Sequence, residues 1–134
     1  MSAFSYAFNE AGTAYPQTPQ LFLFIGNSIS IRFAQETRVS ISASAILKPS
    51  GATAEAEVSV CWGLEPTGVG STYPMTDNNG EPVTQPVSLT GPTPVTFSGL
   101  VAPGFEGDLW VGPCVKSDQP FVLSYLSGFM VLAP

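Results

Sequence analysis

Ten carboxylates, two cysteines and no histidine bound the chemistry open to this chain of 134 residues. Without histidine it lacks the commonest general base, the Ser-His-Asp triad and the usual transition-metal ligands. Paired carboxylates are the remaining route to acid–base catalysis, as in glycoside hydrolysis. Glu55 and Glu57 lie two apart on one strand face, and Glu106 and Asp108 flank Gly107 in a turn. Both pairs read as solvent-facing. Gly68-Val69-Gly70-Ser71 follows Pro66 and opens no helix, so it reads as a loop and not as a phosphate cradle. The expectation is a non-enzyme with no catalytic residue and no cofactor.

Binding chemistry is better placed. Asp77-Asn78-Asn79-Gly80-Glu81 clusters oxygen ligands, but it lacks the alternating positions and the distal bidentate glutamate of a calcium loop. It reads as a turn, and no metal is assigned. Tyr73, Asp77, Asn78 and Asn79 share the longest region without a clear strand, Thr67 to Pro86, and are the candidate ligand-binding residues. A glycan is the ligand class expected there. Trp62 and Trp110 sit in apolar strands and read as core. Cys61 and Cys114 form no C-x-x-C pair. Two buried free thiols are expected, with a single disulfide as the alternative.

The elements that hold these residues are strands. Thirteen glycines and thirteen prolines interrupt the chain, and no stretch between them keeps a helical period for three turns. From Val39 to Ala45 apolar residues alternate with serine, the pattern of a half-buried antiparallel strand. Ile29 to Phe33 alternates likewise. Val58, Val60, Trp62 and Leu64 are expected on one face of a strand, with Ser59, Cys61 and Gly63 on the other. Further strands read Val87 to Leu89, Val95 to Phe97, Leu109 to Val115 and Phe121 to Leu132. Turn residues fill the gaps, as in Lys48-Pro49-Ser50-Gly51 and Gly91-Pro92-Thr93-Pro94. About eight to ten short strands at this spacing predict an all-β antiparallel β-sandwich occupying residues 1–134 as one domain.

Only 10% of the residues are charged, where about 25% is typical. A shortage of charge fits either a Ser/Thr-rich exterior or surface buried between subunits. The last strand favours burial. Phe121, Leu123, Tyr125 and Phe129 alternate with Val122, Leu126 and Met130, so it is apolar at both parities and calls for cover on both faces. Tyr125 and Phe129 are the candidate subunit-interface residues. Arg32, Arg38, Lys48 and Lys116 are scattered in a chain of net charge −6, which argues against nucleic-acid binding. No apolar run approaches the roughly 18–20 residues that span a bilayer, so no membrane insertion is expected. Met1 to Ser5 has neither basic nor long apolar character, so no signal peptide is expected. An extracellular or particle-surface location is expected.

The later sequence carries a resemblance. Thr96-Phe97-Ser98-Gly99-Leu100 precedes Gly107-Asp108-Leu109-Trp110-Val111-Gly112, and the chain closes on Leu126-Ser127-Gly128-Phe129 and an apolar run. This order resembles the TNF/C1q-like jelly-roll superfamily, where Gly-Asp often opens the penultimate strand and Phe-Ser-Gly-Phe the final one. Leu126 departs from that form, and no Gly-X-Y stalk is present. The resemblance implies a jelly roll of the TNF/C1q-like type and a homotrimer. The expected function is a non-catalytic, lectin-like module recognising a surface ligand. The alternative is a purely structural component of a virion, phage tail tip or cell-surface layer.

Overall fold

Alternation in sequence becomes alternation in burial along β5 (Arg38–Pro49). Val39, Ile41, Ala43, Ala45 and Leu47 are buried, while Ser40, Ser42, Ser44, Ile46 and Lys48 face out. The computed structural model describes residues 4–10, 12–18, 20–66, 72–104 and 106–133, of which 4–10 and 133 by backbone alone. The Gly68–Ser71 loop lies outside the described residues. The other strands are β1 (Phe4–Glu10), β2 (Thr13–Tyr15), β3 (Leu23–Phe24), β4 (Ile29–Phe33), β6 (Ala54–Gly63) and β7 (Thr72–Pro74). They are followed by β8 (Gln85–Leu89), β9 (Thr93–Val101), β10 (Gly107–Ser117) and β11 (Phe121–Ala133).

Two antiparallel sheets form. Sheet A runs β1-β11-β5-β9 with β2 beside β11, and sheet B runs β3-β10-β6-β7 with β4 beside β10 and β8 beside β6. Three of the strands are interrupted ones, β1/β2, β3/β4 and β7/β8. Gly12 (φ 73°) breaks the first and Gly26 (φ 69°) the second, conformations that a side chain disfavours. Gly26 donates its N–H to the Tyr15 hydroxyl at 2.8 Å, and the Tyr15 ring stacks on Phe121 at 5.2 Å, so the break is pinned to the core. Counting each interrupted strand once, the first pairs with the eighth, the second with the seventh, the third with the sixth and the fourth with the fifth. A long hairpin folded over itself in this order is a jelly roll.

The inner faces of the two sheets meet in one cluster that includes Phe33, Ile41, Val60, Phe97, Val111, Leu123 and Met130. Three sequence expectations change on the structure. Residues 72–89 form β7, a bridge between Thr76 and Pro82, and β8, where no strand was legible before Val87. Leu64 does not share the buried face of Val58 and Val60, because β6 ends at Gly63 and leaves it 57% exposed. The last strand is not apolar on both faces along its whole length. The register slips at Ser124, a bulge that turns Phe121, Leu123, Leu126 and Met130 all into the core.

The cysteines correct a fourth expectation. Cys61 and Cys114 are joined in a disulfide, not free, with Cα atoms 5.9 Å apart on adjacent strands. Cys61 stands opposite Gly112, which has no side chain to block the diagonal reach to Cys114. The sulfurs lie on the outer face of sheet B beneath Phe22 and Phe24, with Trp110 alongside. This second cluster buries Cys61 on the outer side of β6, and Ser59, buried on the same side, donates its hydroxyl to the Val83 carbonyl at 2.8 Å.

Candidate assembly face and loop recess

Sheet A buries one face and presents the other to solvent. Cross-strand register arranges the outer residues in rows. Tyr125 stands opposite Ile46 and then Pro94, Ser127 opposite Ser44 and Thr96, Phe129 opposite Ser42 and Ser98, and Val131 opposite Ser40 and Leu100. Phe129 is 52% exposed, Leu100 47% and Tyr125 46%. The sequence placed Tyr125 and Phe129 at a surface that another body would cover, and the structure sets both on this one face, with Ile46 and Leu100 added. Those two were missed because a single apolar residue at the end of a polar row gives no periodic signal.

Charge is distributed unevenly. Strands β5, β9 and β11 hold two charged residues, Arg38 and Lys48 at the two ends of β5, and no carboxylate. Sheet B carries Arg32 on β4, Glu55 and Glu57 on β6, and Asp108 and Lys116 on β10. There Lys116 meets Glu57 at 2.8 Å and Arg32 meets Asp108 at 3.5 Å. The Lys116 ammonium, hydrogen-bonded to Glu57, lowers that carboxyl below its ordinary range, against the opposing effect of partial burial. Glu55 accepts a hydrogen bond from Ser88 at 2.7 Å, and its backbone N–H donates to Asp118 at 2.8 Å. These carboxylates are tied up in strand-to-strand contacts on a solvated face. No cluster of metal-ligating side chains occurs among the described residues.

The expected ligand residues divide. Tyr73 pairs across the ladder with Trp62, and their rings meet at 4.6 Å, so it braces β7 on β6. Asp77 closes the turn: one carboxylate oxygen accepts from the N–H of Asn79 at 2.8 Å and of Glu81 at 3.0 Å. Asn79 contributes that backbone donor. Asn78 and Asp77 line an open recess of about 350 Å³ together with Arg38, Trp62 and Leu100. Arg38 and Trp62 were not legible as recess residues, because they come from β5 and β6 and meet only when the two sheets stack. Trp62 is half-buried against the core at the mouth of this recess, and Trp110 is half-buried over the disulfide.

No family description and no curated protein matches the chain. Among solved structures, it superposes on a chain of infectious bursal disease virus, Gt strain, with a TM-score of 0.51 at 9% identity, covering 97% of this chain and 35% of that one. The VP2 subviral particle of the same virus gives 0.48 at 10% identity, over 97% and 32%. The decameric BFDV capsid protein gives 0.39 at 7% identity, over 99% and 100%. The chain spans about a third of the length of the bursal disease virus chains it matches. The first superposition agrees with the strand order in placing this chain among jelly rolls.

Proposed function

We propose that this protein is a non-catalytic structural subunit of an assembled particle, joined to its copies through the outer face of sheet A. One observation carries the reading: strands β5, β9 and β11 hold no carboxylate, in a chain of net charge −6, and present Phe129, Tyr125, Leu100 and Ile46 on their outer face. A solvated monomer of this charge has every reason to place acids there, whereas interface cores exclude them. Exposed aromatics set among serines are the residues that anchor contacts between proteins. The jelly-roll likeness to a virus chain is compatible with such a role but supplies only the fold. Three copies is the number implied by the sequence resemblance, and a particle surface is the location that goes with it.

Light scattering tests the reading. The wild-type protein at micromolar concentration is expected at a multiple of 14.0 kDa, and Phe129→Glu at a lower mass. An unpaired carboxylate buried in the contact is strongly unfavourable, while on a solvated face it is nearly neutral. A wild-type mass of a single chain removes the proposal.

A second reading, glycan recognition, is favoured by the recess that Arg38, Trp62, Asp77 and Asn78 line together. Saturable binding on a glycan array, abolished by Arg38→Ala with Asn78→Ala, is its test. An array without signal ends it.

A further inference from the structure

Strand β9 is the edge of sheet A, paired with β5 alone. Its register with β5 runs unbroken from Thr93 to Val101, so the opposite side presents a straight row of backbone groups. Pro94 shows which residues own them. It has no N–H to give to β5, and proline in a sheet turns its nitrogen to the free side. Period two then directs the N–H and C=O of Thr96, Ser98 and Leu100 away from β5 as well. The same rule is visible in β10, where the Pro113 carbonyl accepts from Ile25 on the side away from β6. Among the described residues, no backbone hydrogen bond outside the strand ladders reaches Thr96, Ser98 or Leu100.

Free edges are ordinarily blunted by charge, by bulges or by a covering loop. Strand β9 has no charged residue and no bulge, and its one proline lies near its start. Beside this edge lies a recess of about 170 Å³ whose walls include Thr96, Phe97 and Ser98 on one side and Val83, Thr84 and Gln85 on the other.

We infer that this edge is a strand-addition site for β9 of a second copy, an inference that rests on the assembly reading and names one of its contacts. The occupant is chosen by charge and by parity. Copies of a chain of net charge −6 repel one another over acid-bearing surface, and β9 offers nine residues without a charge. A two-fold axis through Ser98 keeps side-chain parity, so core-facing residues continue to face a core and Phe97 comes opposite glycine. Thr96, Ser98 and Leu100 then exchange both main-chain hydrogen bonds with the opposite strand. Sheet A continues through the contact into its counterpart.

Amide hydrogen exchange and one proline substitution decide it. In the assembled wild-type protein, the amides of Thr96, Ser98 and Leu100 are expected to exchange at least tenfold more slowly than in dilute, dissociated protein. Ser98→Pro gives up no bond to β5 and is expected to fold, with unchanged circular dichroism, but to lose the pairing and lower the assembled mass. Equal exchange rates in the two states overturn the inference, even if Ser98→Pro fails to fold. A Ser98→Pro protein that assembles like wild type while Phe129→Glu does not overturns it too, and leaves the assembly reading standing. A wild-type protein that is monomeric throughout removes both.

Discussion

Reducing the bond between Cys61 and Cys114 gives a large effect whose size follows from chain length. The bridge spans 53 residues, so it removes much of the freedom of the unfolded chain between β6 and β10. The loop-closure expression puts that at about 4 kcal/mol at 25 °C, with about 2–4 kcal/mol the usual measured range. At about 2.1 cal/mol/K of unfolding entropy per residue, 134 residues amount to about 280 cal/mol/K. The expected fall in Tm is then about 7–14 °C. Both cysteines are fully buried, under Phe22 and Phe24, so brief reductant exposure of the native protein should leave the bond intact. Reduced protein is therefore prepared by unfolding and refolding under reductant, and the two forms are compared by calorimetry. Thiol titration of denatured, unreduced protein is expected to find none. Two thiols per chain, or equal Tm values for the two forms, refute the reasoning.

Three further outcomes follow from the packing. A Cβ at Gly128 meets the Ala43 methyl and the Ser42 carbonyl at 2.5 Å, so Gly128→Val forces β11 away from β5. Overpacking of this kind costs about 1–3 kcal/mol, readable as a lower urea midpoint. Asp77→Ala removes the acceptor of two backbone donors and should cost about 1 kcal/mol, where Asn78→Ala, with no such role, leaves the midpoint unchanged. Glu57, with its folded-state pKa lowered by Lys116, contributes stability that is complete above its ordinary value of 4.5. That contribution is lost as pH falls through the lowered value. Both side chains are partly exposed, at 32% for Lys116 and 39% for Glu57, which limits it to about 0.2–1 kcal/mol. Lys116→Gln should flatten the acid limb of the stability curve by that amount.

Local pattern was enough for the fold class. Alternation along Val39 to Ala45 requires a strand with one wet face, and the turn residues between such runs require antiparallel neighbours. The last strand, apolar at both parities, called for cover on both faces and so singled out Tyr125 and Phe129, although period two set them on the side of Phe121 and Leu123. Pattern stops where the chain does something non-periodic. The bulge at Ser124 moved Leu123 and Leu126 onto the same side, a change that no alternation predicts. Short strands such as β7 exist because Tyr73 has Trp62 to lie on, a partner set by the strand across the ladder.

Long-range choices belong to the tertiary structure alone. Whether Cys61 and Cys114 bond depends on β6 and β10 being neighbours in register, and a separation of 53 residues carries no such information. Asp77 was legible as a candidate ligand by residue type; that one of its carboxylate oxygens also accepts from two backbone donors of its own turn was not. The recess beside it draws Arg38 and Trp62 from opposite sheets, and the free edge of β9 exists only because strand order places that strand last. Sequence fixes which groups seek burial or partners; which groups remain without them is decided when two sheets stack, because stacking alone determines where the rims and edges fall.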